Sequence, residues 1–331
     1  MILHPAVIAL LVGSLLIVTM LVYAAFYGVQ ILRGWDISSG SELQLSLERK
    51  TYLISTLVTY AFGFQLISFF LFIYTSDSLC HLLVGAMCAA GTLSSNAYGY
   101  PALLLKLFNF ILAGLWLIVN YTDNQSSAYP LIRKKYGLLL VITPFMLAEA
   151  VVQGRFFLNL QPNVITSCCG SLFSEAAEGI AADIVAFPPA PTAMVFFATM
   201  CVTLALGLYH YLRGKGGYCF AIASATTFLV AIAAILSFIS PYIYELPTHH
   251  CPFCILQHEY GYVGYLLYGT LLGGAVTGMG VGILQPFRTT AGLATILPVI
   301  QKSLTKAALI LYGVFCAVVL WQIIFSELRM G

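Results

Sequence analysis

The chain has 331 residues, 60% of them hydrophobic and only 8% charged, and a formal net charge of +2. Ordinary soluble domains carry about a quarter charged residues, so this composition excludes a soluble protein and points to an all-α, polytopic protein in a lipid bilayer. A net charge of +2 says little about partners, and no nucleic acid is expected among them.

Runs of about 20 apolar residues are what a helix needs to cross a bilayer. Eight recur: Ala6 to Leu32, Tyr52 to Tyr74, Ala102 to Asn120, Leu138 to Gln153, Met194 to Leu212, Tyr218 to Ile239, Tyr260 to Leu284 and Ala307 to Phe325. The first lacks the basic start and small-residue cleavage site of a signal peptide, so it is expected to stay as a span. Lys and Arg collect on the cytoplasmic side of a membrane. Eleven of the fourteen fall around the first, third, fifth and seventh connections, leaving only Lys106, Arg155 and Arg329. Both termini and the second, fourth and sixth connections are therefore expected to face outward, which in the inner membrane of a bacterium is the periplasm.

The second connection is apolar yet broken by Gly and Pro, as in a segment lying at the membrane surface, and holds Cys80 and Cys88. Lys106, Asn109 and Glu149 are polar groups in the outward thirds of the third and fourth spans. Such groups are costly in lipid, so Lys106 and Glu149 are expected either to pair or to snorkel to the interface. The fourth connection, about 154–189, holds Cys168 and Cys169, then a stretch suited to a surface helix and a Pro-rich turn. His210, near the cytoplasmic end of the fifth span, has no facing histidine that would make a haem site. Gly269, Gly273, Gly274, Gly278 and Gly282 give the seventh span the small-xxx-small spacing that lets helices approach closely. L-R-G closes the first and fifth spans and Y-G-Y opens the third and seventh, which suggests a four-plus-four duplication. On that reading one transmembrane domain, 1–331, contains halves 1–153 and 190–331.

Of nine cysteines, Cys201, Cys219 and Cys316 lie within or beside spans, where Cys packs as a small apolar residue. The other six all fall in outward connections, where thiols meet oxidising conditions. Six cysteines permit fifteen pairings, so spacing alone selects none.

The sixth connection reads T-H-H-C-P-F-C-I-L-Q-H-E, with Cys251 and Cys254 just ahead of an apolar run. A pair at i, i+3 in the first turn of a helix can cycle between dithiol and disulfide, and the positive end of the helix dipole favours a thiolate there. Cys251 is then the reactive sulfur, and Pro252 fits a first turn. The same spacing is also half of a zinc site, which needs two further ligands.

At C-P-F-C-I-L-Q-H the chain resembles the DsbB type of bacterial disulfide-forming membrane oxidoreductase, which reads C-P-x-C-x-x-Q-R at a transmembrane helix. Cys251, Pro252, Cys254 and Gln257 match, and His258 stands where that family has arginine. Every other outward cysteine precedes the C-x-x-C pair, an order more like the vitamin K epoxide reductase family, which is also quinone-linked. The resemblance implies that Cys251 and Cys254 pass electrons to a membrane quinone, ubiquinone or menaquinone, in a pocket near Cys254, Gln257 and His258. It also implies that a second outward cysteine pair takes electrons from a periplasmic thioredoxin-like thiol protein.

The expected function is accordingly a membrane thiol-disulfide oxidoreductase using Cys80, Cys88, Cys168, Cys169, Cys251 and Cys254. Two alternatives come from other classes. S-C-C-G resembles the vicinal cysteines of mercuric ion transport proteins, which suggests a soft-metal carrier or permease for Cu or Hg. A non-catalytic membrane subunit of a larger complex would use the same cysteines as staples.

Overall fold

A computed structural model describes residues 3–36, 39, 41–126, 128–162, 166 and 188–328. Among the described residues the protein is all helical, with no β-strand, and eight helices are long and apolar enough to cross a membrane. In chain order the helices are α1 (Pro5–Gly34), α2 (Glu42–Ser78), the short α3 (Ala89–Ser94), α4 (Gly99–Asp123), α5 (Ile132–Leu158), α6 (Pro189–Arg213), α7 (Gly217–Ala234), α8 (Ser240–Tyr244), α9 (Val263–Leu284) and α10 (Leu297–Phe325). A π-turn, Ile235–Ile239, joins α7 to α8 within one span.

The helices outrun the apolar runs where the chain supplies local caps. Helix α2 starts at Glu42 rather than near Tyr52, because the Ser41 hydroxyl accepts the Gln44 N–H at 3.3 Å, an N-cap. The Gln44 side chain then accepts the Asp36 N–H at 3.0 Å and donates to Glu48 Oε1 at 2.8 Å. Several basic residues read as belonging to connections, among them Lys50, Lys135 and Lys302, consequently lie within helices.

The chain divides into two compact units, one made of Met1–Thr75, Leu93–Pro162 and Phe287–Leu297, the other of Ser76–Thr92, Asn163–Pro286 and Pro298–Gly331. In the first unit α5 packs on α1 and α4. Gly28 brings α1 close to the Tyr136 ring, and Phe62 meets Trp116 edge to face with centroids 5.1 Å apart. Two charged pairs are sealed inside this unit. Lys106 does not snorkel: its Nζ lies 2.8 Å from Glu149 Oε1, with both side chains at most 3% exposed. Glu149 also accepts from Gln65 at 2.8 and 2.6 Å and from Asn109 at 2.7 Å, while Lys106 donates to Ser68 Oγ at 2.9 Å. Lys135 pairs with Asp123 at 2.8 Å, and Asp123 Oδ1 accepts the Leu131 N–H, so this pair ties together the turn between α4 and α5.

In the second unit α7 packs on both α6 and α9. The glycines of α9 act as spacing elements: Gly278 faces Ser224, Gly282 faces Ala221, and Gly274 and Gly273 face the side chains of Tyr312 and Leu311. Gly269 has nothing within 4 Å of the position a Cβ would take. His210 is a buried packing histidine, its Nδ1 2.8 Å from Thr305 Oγ1 and its ring stacked on Phe220.

Candidate functional site

The site lies wholly in the second unit and begins where α2 ends. Beyond Ser78 the chain makes a 3₁₀ turn, Cys80–Leu82, and reverses at Gly85, whose φ of +86° is left-handed. The reversal is crowded as well: a Cβ at Gly85 would stand 2.6 Å from the Thr166 carbonyl oxygen. Both constraints call for glycine. Thr166 donates its N–H to the Val84 carbonyl at 2.9 Å, four residues ahead of Cys88.

Cys88 then opens α3, held from both sides. The Asp77 carboxylate accepts the Ala89 N–H at 3.1 Å, acting as a helix cap from a distance. Gln257 donates its side-chain N–H groups to the same Asp77 Oδ1 at 3.0 Å and to the Met87 carbonyl at 3.1 Å. The peptide groups before and after Cys88 are thus clamped to the segment that carries the C-x-x-C pair.

That segment is not the mouth of a long helix. Cys251 precedes a 3₁₀ turn, Cys254–Leu256, a second such turn spans His258–Tyr260, and α9 starts only at Val263. Gly261 and Tyr262, at φ of 61° and 57°, hold the left-handed geometry that separates the turns from α9. The helix-dipole rationale for Cys251 therefore falls, and hydrogen bonds take its place in fixing the pair. Tyr244, at the end of α8, donates its hydroxyl to the Cys251 carbonyl at 2.5 Å, and Tyr268 from α9 donates to the Pro252 carbonyl at 2.6 Å. His250 Nδ1 lies 2.9 Å from the Leu236 carbonyl in the π-turn, and since a carbonyl only accepts, Nδ1 carries the proton. Beneath the 3₁₀ turn sits Gly264, where a Cβ would come within 2.8 to 2.9 Å of Ile255 and Leu256.

These supports bring three sulfurs together. Cys88 Sγ lies 3.5 Å from Cys251 Sγ, across 163 residues of sequence. The sulfurs of Cys88, Cys251 and Cys254 are all within 4.8 Å of one another, and all three residues are buried. Disulfide bonds span about 2.04 Å, so the sulfurs stand beyond bonding distance yet are one another's neighbours. Cys80 is buried in its own 3₁₀ turn and does not join this group. Cys168 and Cys169 lie outside the described residues.

No protein-family model, curated protein or solved structure matches the chain.

The remaining predicted site residues divide by role. Gln257 spends its amide on the clamp. His258 is exposed and meets the Tyr262 ring edge-on, with centroids 5.8 Å apart. Tyr260, with its ring against Tyr244, has its hydroxyl pKa pushed up by burial, with charge on Cys254 adding to the effect. Asp77, Tyr244, Tyr268 and Gly264 escaped the sequence reading. Asp77 alone carried a signal there, as an isolated carboxylate at the end of an apolar span. Two tyrosines among twenty and one glycine among twenty-eight carry none.

Proposed function

We propose that this chain is a membrane thiol-disulfide oxidoreductase whose reaction centre is Cys88, Cys251 and Cys254. The observation that carries the reading is the 3.5 Å approach of Cys88 Sγ to Cys251 Sγ in a buried pocket clamped by Asp77, Gln257, Tyr244 and Tyr268. Attack by the Cys88 sulfur on a Cys251–Cys254 disulfide would form a Cys88–Cys251 bond and release Cys254 as the thiol. The reverse step regenerates the C-x-x-C disulfide.

Cys88 and Cys251 are fully buried, at 0% exposure, which supports a relay, because a folded partner protein does not touch sulfurs that deep. In this reading electrons enter at Cys168 or Cys169, or at the Cys80 and Cys88 pair, from an outer, thioredoxin-like thiol protein. Two thiols give up two electrons and two protons as each disulfide forms. A membrane quinone accepts them and becomes the quinol, with His258 and Gln257 placed at its pocket by the resemblance to the disulfide-forming oxidoreductases. The charge distribution supports a bacterial inner-membrane orientation with both termini and the cysteine-bearing connections on the periplasmic face, and the tripeptide echoes support an ancient four-plus-four duplication.

The test is alkylation trapping and mass spectrometry of Cys88, Cys251 and Cys254 in cells with and without quinone biosynthesis. The expected result is a pair that is oxidised normally and accumulates as dithiol when quinone is lacking. Thiols whose state ignores quinone would sink the proposal.

A further inference from the structure

We propose that, when reduced, the Cys88–Cys251–Cys254 triangle binds one monovalent thiophilic cation of the Cu(I) class through all three sulfurs. Sulfur lies about 2.3 Å from a bound d¹⁰ metal such as zinc. Three sulfurs around one metal at that distance stand roughly 4.0 Å apart by plane geometry. Cys88 and Cys251 stand 3.5 Å apart and all three sulfurs lie within 4.8 Å of one another, a range that brackets that separation.

The donor set selects the ion. Soft thiolates favour Cu(I), Zn(II) and iron-sulfur clusters over hard cations. Structural zinc closes its shell with four ligands, and among the described residues no fourth His, Cys, Asp or Glu joins the three sulfurs. A cation content with three sulfurs fits better. The frame is built in advance as well: two segments far apart in sequence are locked by Asp77 and Gln257 on one side and by Tyr244 and Tyr268 on the other.

Binding replaces S–H protons, which leave to solvent, and no electron moves. Oxidation of Cys251 and Cys254 to a disulfide would leave Cys88 alone as a ligand. The cation is therefore held by the reduced cluster and blocks its oxidation. This assignment needs only three reduced sulfurs, so it stands apart from the electron-transfer reading.

The test uses the full-length chain in detergent, reduced under anaerobic conditions and titrated with Cu(I) against the chromophoric chelator bicinchoninate. One equivalent is expected to bind tightly, with Cys88→Ser, Cys251→Ser and Cys254→Ser each weakening binding at least tenfold and Cys201→Ser leaving it unchanged. X-ray absorption on the unsubstituted protein, independent of how any variant folds, is expected to show a shell of three sulfurs. Two sulfurs, a nitrogen or oxygen shell, or affinity unaltered in Cys88→Ser would overturn the assignment. Quinone-dependent thiols without Cu(I) binding would overturn it and spare the electron-transfer reading.

Discussion

Glu149 accepts hydrogen bonds from Gln65, Lys106 and Asn109 inside the first unit, and such a carboxylate depends on every one of its donors. Removing one partner of a buried ion pair leaves an uncompensated charge, at a cost of about 3–5 kcal/mol, whereas replacing both with apolar residues can be close to neutral. Lys106→Met is thus expected to destabilise the protein by that amount and Lys106→Met with Glu149→Leu to recover most of it, read by denaturant unfolding in mixed micelles. Asp77 answers to a different assay because it positions sulfurs. Asp77→Ala removes the acceptor of two hydrogen bonds to a charged group, each worth about 1.5–3 kcal/mol. The expected outcome is at least tenfold slower oxidative cross-linking of Cys88 to Cys251, with Asp77→Asn, which keeps a carbonyl oxygen at that position, restoring part of the rate.

The elements that differ from expectation share a physical cause. Eight spans were legible because length and apolarity are local properties of the chain, and the small-residue spacing of α9 correctly forecast close contacts at Gly274, Gly278 and Gly282. The 3₁₀ turns between Cys254 and Tyr260 were not legible: three-residue turns have no periodic pattern, and the apolar run was read straight through Gly261 and Tyr262. Nor could the sequence pair Cys88 with Cys251, since residues 163 positions apart leave no local trace. Glycine substitutions separate packing from spacing. Gly264→Val would drive a side chain into Ile255 and Leu256, an overpacking cost of about 1–3 kcal/mol. It is expected to displace the turn, measured as lost Cys88–Cys251 cross-linking. Gly269→Ala, in open space, is expected to stay within about 0.5 kcal/mol of the parent.

For the molecule as a whole, the positive charge around alternate connections makes a prediction that side-chain geometry does not enter. In whole cells a membrane-impermeant maleimide is expected to label Thr248→Cys directly and Lys215→Cys only after permeabilisation; the opposite pattern would invert the orientation. Orientation decides which compartment the sulfurs sample. With no side chain at Gly264, Ile255 and Leu256 rest on the first turn of α9, whereas Cys88 is suspended from Asp77 at the end of α2. Gln257, through Asp77 and Met87, ties Cys88 back to the segment that rests on α9, so the three sulfurs are carried as one cassette whose parts come from chain segments 163 residues apart.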